Sequence, residues 1–351
     1  MIALRHKNYR PIGLDLGPYT ARLIQLKGPE GRLQIHAMAH CPIEVDQNAT
    51  ADDQDRQIGN VLKRVLANHA FKGRLAVGCL GAQDLFVQNV RLPVLPPEEV
   101  AKVVAWEAEE RLPYPVQEAE IRHLTAGKVR REGDGRQEVI LMSCHTGIVQ
   151  RQIRIMEYAG LTPRSVDVEP CAVIRSLRFG RNDHTGDRCA YLNLGEKATT
   201  VVFAEDNRIL FLKYIGHGGH HLDQAVARHL NSSTAEAARV RTIVNTASAL
   251  DSDDEVHQTV VEAIRTPLES IAAEIELCLR YYKVTFRGKP LKQIFVTGND
   301  ASYWLLDFLE NRLGLACEIG DPVAGLAGDT PHVNDSMQPF RWTTAIGLAL
   351  K

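Results

Sequence analysis

The sequence predicts a duplicated α/β fold: two related halves around a cleft, with a small α/β insert in the first half. Three observations predict it. An apolar strand with a polar residue, a glycine turn and a second apolar strand occurs twice, 178 residues apart, in a chain of 351 residues. Each copy continues after a turn into a further strand, and such hairpin-led copies half a chain apart signal duplication. Between them the pattern changes to strand, helix, strand, strand and helix, which reads as an insert.

The first copy is Ile12-Gly-Leu-Asp15-Leu-Gly17-Pro-Tyr-Thr20-Ala-Arg22-Leu-Ile-Gln-Leu26, followed after Gly28-Pro-Glu-Gly31 by Leu33-Gln-Ile-His-Ala. Phe86 to Leu92 reads as a strand. Leu95-Pro-Pro97 then opens a helix, proline being favoured in a first turn. Val100, Val103, Val104 and Ala108 share a face of that helix, with Glu98, Glu99, Glu109 and Glu110 mainly off it. Trp106 on this helix is expected to pack. Leu112-Pro-Tyr-Pro115 stops the helix. Ile121 to Thr125 and Val139 to Met142 read as strands around a turn at Arg131-Glu-Gly-Asp-Gly135, and a helix from about His145 to Ala159 closes at Gly160. The second copy is Ala190-Tyr-Leu-Asn193-Leu-Gly195-Glu-Lys-Ala-Thr199-Thr200-Val-Val-Phe, followed after Glu205-Asp-Asn-Arg208 by Ile209 to Ile215. Residues 222–289 read as mainly helical, with Asn231-Ser-Ser-Thr234 capping a new helix and Ile264 to Tyr282 amphipathic. A strand from Leu291 to a turn at Thr297-Gly298, a helix to about Leu313, a strand at Ala316 to Ile319 and a helix from Thr343 to Leu350 complete the chain.

Lys plus Arg is 41 and Asp plus Glu is 43, a balance that argues against a dedicated nucleic-acid binder. Hydrophobic residues make up 44% and charged residues 24%, the composition of a folded globular protein. No apolar run reaches the ~18 residues that cross a bilayer, and the N-terminus lacks an apolar signal core. A cytosolic chain that does not anchor itself is expected. Cysteines 41, 79, 144, 171, 189, 278 and 317 stand isolated, which predicts buried thiols and no zinc site.

The echoed turns suggest the chemistry. A glycine hairpin turn gathers backbone N–H groups around an anion, and Gly17 and Gly195 leave room for its approach. Thr20, Thr199 and Thr200 offer hydroxyl donors, and Asp15 offers a hard oxygen for Mg²⁺ through water. Two such cradles across a cleft can clamp the phosphates of one nucleotide.

These turns resemble the two phosphate loops of the actin-like (ribonuclease H-like) ATPase superfamily. Glu169-Pro170-Cys-Ala172 resembles the start of its connecting helix, which implies a water-positioning role for Glu169. Thr297-Gly298 resembles the adenosine turn, Gly218-Gly219 the turn beside the nucleotide, and Glu236 with Arg239 the pair flanking adenine and ribose. More narrowly, the chain is similar to the PilM family of type IV pilus assembly, related to FtsA. The resemblance is carried from about residue 10 to the end by Gly13-Leu-Asp15-Leu-Gly17, Leu92-Pro-Val-Leu-Pro-Pro-Glu-Glu, Val166-Asp-Val-Glu169, Ala345-Ile-Gly-Leu-Ala-Leu350 and, most specifically, Trp106-Glu-Ala-Glu-Glu-Arg-Leu-Pro-Tyr-Pro115. It implies a first lobe built from 1–81, 164–188 and 331–351 and an insert at 82–163. The second lobe comprises 189–221 and 290–330, with a helical insert at 222–289.

Four departures fall on the nucleotide positions. Asn193 stands where the family has Asp, and an amide supplies no anion toward Mg²⁺. Pro18 replaces Ser and removes an N–H. Arg22 replaces Lys with a different reach. Asn299 replaces the second glycine of the adenosine turn. The set Asp15, Gly17, Thr20, Arg22, Asn193, Gly195, Thr199, Thr200, Gly218, Gly219, Glu236, Arg239 and Gly298 is therefore expected to bind ATP weakly, with Mg²⁺ on Asp15 and little or no hydrolysis. His217, His220 and His221, with Asp223 nearby, read as a solvated or phosphate-facing cluster, with a metal site as the lesser alternative. Arg122, Lys128, Arg130, Arg131 and Arg136 read as a solvated basic hairpin, with anionic lipid as the sharper alternative. The resemblance implies a cytoplasmic scaffold that docks the tail of a PilN-like inner-membrane protein in a groove beside the insert. It also implies other pilus or secretion platform partners, membrane contact only through a partner, and self-association as an open alternative. A small-molecule kinase of the same superfamily and a cytoplasmic component of type II secretion are the competing readings.

Overall fold

The computed structural model describes residues 8–129, 135–181, 185–247, 249–286, 289–328 and 338–351. The chain opens with strands β1 (Tyr9–Leu16), β2 (Thr20–Lys27) and β3 (Gln34–Pro42), then helix α1 (Ala51–Asn68) and β4 (Leu75–Leu80). The insert follows as β5 (Phe86–Pro93), α2 (Pro97–Glu109), β6 (Ala119–Val129) and β7 (Arg136–His145). Helix α3 (Thr146–Tyr158), β8 (Thr162–Val168) and the connecting helix α4 (Glu169–Arg178) return the chain to the first sheet and lead out of it. The second half has β9 (Arg188–Leu194), β10 (Thr199–Glu205) and β11 (Arg208–Ile215), then α5 (Gly219–Leu230), α6 (Thr234–Thr246) and α7 (Glu255–Thr285). It ends with β12 (Ile294–Thr297), α8 (Trp304–Leu313), β13 (Cys317–Ile319) and α9 (Thr343–Ala349).

The duplication is preserved in backbone register. The first sheet runs β3-β2-β1-β4-β8 and the second β11-β10-β9-β12-β13, the same order built from corresponding strands. Gly17 N–H donates to Thr20 O at 2.9 Å, and Gly195 N–H to Ala198 O at 3.0 Å, so the turn bond repeats at the 178-residue spacing. The bulge between Gln25 and Leu26 recurs between Phe203 and Ala204, again at that spacing. In this register Thr20 corresponds to Ala198 and Arg22 to Thr200. The threonines of the two copies are therefore not equivalent.

Both sheets are covered on two faces, which is why central strands such as β9 and β10 are almost continuously buried. Ile12, Leu14 and Leu23 pack under α1 and α3 with Ile58, Leu62, Ile155 and Met156. On the other face Ile24 and Leu26 meet Ile346 and Ala349 of α9. The connecting helix straddles the halves: Val173, Ile174 and Leu177 join the second core, while Ala172 packs with Val77 and Leu348 of the first.

The insert sheet, ordered β5-β7-β6, has two partners. Val139 and Leu141 face Val100, Val104 and Ala108 of α2, whereas Ile140 and Met142 enter the second half's core. Asn89 Nδ2 donates to Leu212 O of β11 at 2.9 Å. Helix α3, read in sequence with the insert, packs with the first sheet. Trp106 does not pack as expected: it is 74% exposed, because Val100, Val104 and Ala108 make the buried face of α2. Arg122 reaches Glu120 at 3.4 Å; Arg130, Arg131 and most of the predicted turn at 131–135 lie outside the described residues. All seven cysteines are free thiols, six of them buried. Among the described residues no helix is long and apolar enough to cross a membrane.

Candidate functional site

A cavity of about 430 Å³ opens where the two hairpin turns face each other. Its lining includes Asp15, Gly17, Arg22, Glu169, Asn193, Gly195 and Gly298, so seven of the predicted residues share one site. Strand ends supply Asp15 and Asn193, and Glu169 sits in the first turn of α4, where the helix dipole favours an acid.

Glu169 is held from the opposite half. Its Oε1 accepts from Asn193 Nδ2 at 2.5 Å, and its Oε2 from Thr200 Oγ1 at 3.1 Å. Burial pushes its carboxyl up to about 7, against which the two hydrogen bonds pull it down and the nearby Asp15 pushes it further up. Burial also raises the Asp15 carboxyl, partly opposed by Arg22. Both oxygens of Glu169 are thus engaged by protein donors.

The predicted phosphate donors have acceptors of their own. Gly17 N–H closes its hairpin turn, Pro18 has no N–H, and Tyr19 N–H donates to Glu196 Oε2 at 3.1 Å. Thr20 Oγ1 donates to Glu196 Oε1 at 2.6 Å, Thr199 Oγ1 to His217 O at 2.8 Å, and Thr200 Oγ1 to Glu169. Asn299 Nδ2 also turns to Glu196 Oε1, at 3.0 Å. Gly195 N–H closes the second turn, while Gly219 N–H and His220 N–H bind the carbonyls of Gly195 and Glu196.

An ion triad stands beside the Gly218–Gly219 turn. Arg241 on α6 lies 2.7 Å from Asp223 and 2.6 Å from Asp300, and all three side chains are nearly buried. A Cβ at Gly219 would stand 2.1–2.3 Å from the Asp300 carboxylate, so that carboxylate rests directly on the Gly218–Gly219 turn. Gly298 must be glycine, with φ +105° and Leu194 O where a Cβ would sit.

Glu236 and Arg239 do not reach the cavity. Ser233 caps α6 and Glu236 closes the capping box on it, its Oε2 accepting from Ser233 N at 3.0 Å; the carboxylate is spent at the helix end. Both residues are exposed. The histidine cluster splits between structural contacts: His221 Nδ1 accepts from Gly218 N–H at 3.2 Å, and His220 lies 5.5 Å from the Tyr19 ring. Among the described residues no group of three or more His, Cys, Asp or Glu is placed to hold a metal ion. The residues present therefore do not fit a bound Mg²⁺-nucleotide in this arrangement. Glu169 beside Asp15 already accepts from Asn193 and Thr200 on its two oxygens, and the first cradle's donors already hold a carboxylate. Glu196, Asp300 and Arg241 carry this outcome, and sequence reading had not singled them out. The signal available was an acid, Glu196, inside a turn expected to bind an anion.

Comparisons with known proteins agree with the architecture. A chain of a PilM-PilN type IV pilus biogenesis complex superimposes with a TM-score of 0.80 at 20% identity, over 97% of this chain and 98% of that one. The ethanolamine utilization protein EutJ from Carboxydothermus hydrogenoformans follows at 0.58 and 14% identity, over 97% and 89%. The fold is the two-lobed actin-like one. The family described as type IV pilus assembly protein PilM matches residues 13–351, and the chain belongs to that family.

Proposed function

We propose that this chain is a scaffold of a type IV pilus assembly platform. It docks the cytoplasmic tail of a PilN-like inner-membrane protein and works at the membrane through that partner, without ATP turnover. The carrying observation is the family match over almost the whole chain. The cavity supports a peptide ligand, because it continues past the turns between β3, α1 and α3. There Ile43, Val45, Ile58, Ile148 and Ile155 give an apolar floor, and Gln83, Asp84 and Arg151 a polar rim. An extended peptide uses such a surface by alternating buried side chains with polar contacts. The phosphoryl-transfer reading loses support at Asn193, whose amide is committed to Glu169.

Fluorescence anisotropy with labelled N-terminal tails of PilN-like proteins tests this. Full-length protein is expected to bind one tail equally well with and without Mg²⁺-ATP. Ile148→Asp, which puts a charge on the apolar floor, is expected to weaken binding at least about tenfold. Absence of binding by every tail, or binding that needs ATP, overturns the reading.

A further inference from the structure

We infer that Glu196 is a built-in ligand of the first phosphate-type cradle: an internal carboxylate that holds the two halves together where the fold could hold a phosphate. The inference deepens the scaffold reading, and rests on it for the role of the cleft.

The geometry is that of an anion site already filled. Glu196 belongs to the second turn, yet its carboxylate crosses the cleft to the first. Oε2 accepts from Tyr19 N–H at 3.1 Å and Oε1 from Thr20 Oγ1 at 2.6 Å. Oε1 also accepts from Asn299 Nδ2 at 3.0 Å, on the turn after β12. One side chain thus ties three segments drawn from both halves. Gly17 permits this: a Cβ there would stand 3.2 Å from Oε2. Burial raises the Glu196 carboxyl above its ordinary value, and its bonds to Thr20 and Tyr19 and the charge of Arg22 offset this only in part. Charge-assisted bonds from a backbone N–H and a hydroxyl are what a phosphate oxygen would take at the same place.

Two consequences follow from the chemistry. A phosphate group can use this cradle only by displacing Glu196, so the residue selects against anionic ligands at the cleft. Releasing it frees the first cradle alone, because the Asp300–Arg241–Asp223 triad stays in place against the Gly218–Gly219 turn, which the sequence reading sets beside a nucleotide. The ligand class gained on removing Glu196 is therefore a short inorganic polyphosphate, with the adenosine of ATP adding little.

The test titrates inorganic pyrophosphate, then ATP, into full-length wild-type protein, Glu196→Ala and Glu196→Gln by calorimetry. Amide exchange at Tyr19 is followed in the same proteins, and so is tail binding. Glu196→Ala is expected to bind pyrophosphate at least about tenfold more tightly than wild type, with ATP no better than pyrophosphate. Its Tyr19 amide should exchange at least about tenfold faster. Glu196→Gln keeps the side chain's shape and a neutral acceptor, so its gain should be smaller; it serves alone if the alanine variant does not fold. Equal pyrophosphate affinity and equal Tyr19 exchange in wild type and variants overturn the inference. That outcome with tail binding intact leaves the scaffold reading standing. Tail binding lost in every protein, wild type included, sinks the scaffold reading instead.

Discussion

Removing the cation from the buried triad gives the sharpest test of what fills the cleft. Arg241→Met keeps an apolar stem as far as the position of Nε and deletes the charged head. Arg241 is 8% exposed, Asp223 13% and Asp300 10%, so the two carboxylates would be left in a dry site without their partner. Breaking a buried ion pair from one side costs about 3–5 kcal/mol. Unfolding entropy of ~2.1 cal/mol/K per residue, over the 351 residues, gives roughly 0.7 kcal/mol per degree. The expected loss is therefore about 4–7 °C in Tm for a single cooperative transition, read by calorimetry or circular dichroism. Combining Arg241→Met with Asp223→Asn and Asp300→Asn removes the stranded charges and should recover at least half of the loss. A single variant that melts within about 1 °C of wild type would refute the argument. So would a triple variant no more stable than the single one.

Two further outcomes follow from the same core. Glu169 keeps its proton to about 7 in the folded chain, against an ordinary value of 4.5. The folded state thus binds the extra proton between those values, and its stability falls as pH rises through that window, by at most about 3 kcal/mol. Urea melts of wild type and Glu169→Gln should diverge between about pH 5 and about pH 7 and run parallel above; a constant difference across the range contradicts this. Gly347→Ala would place a Cβ 1.9 Å from Ala172 O, backbone against backbone where α9 crosses α4, so a loss of about 3 kcal/mol or more is expected. Gly216→Ala, with nothing within 4 Å of its Cβ, is the control and should stay within about 0.5 kcal/mol.

Local rules reached the hairpins because each hairpin is a local object: strand alternation, a glycine turn and a second strand all lie within a few residues. They did not reach α1, β4 or β8. The buried face of α1 contains Asp55, fully buried and paired with Arg151 and Arg154 of α3, so the charge breaks the apolar stripe. Strand β4 is six residues with Gly78 inside it, and β8 carries Pro163 and Arg164, which locally read as a turn. The family resemblance implies a nucleotide-flanking role for Glu236 and Arg239. The capping box Ser233-x-x-Glu236, equally visible in the sequence, already assigned that carboxylate to the helix end. Glu196 is a different case: its partners lie 103, 176 and 177 residues away, and no local rule pairs residues at such distances.

The backbone and the side chains of the two copies point in different directions. The turn bond, the bulge and the strand order repeat at one spacing, so the backbone path is shared by both halves. Ligand choice depends instead on where the donors end, and here they end on protein. Thr20 and Tyr19 N–H serve Glu196, Thr200 and Asn193 serve Glu169, and Thr199 serves a carbonyl. A cleft that uses a nucleotide must leave such groups unpaired or wet between binding events, which costs stability. A cleft whose donors are paired internally avoids that cost and holds its halves together without a ligand. That is the state a docking scaffold needs, since its groove must present the same shape whether or not ATP is present.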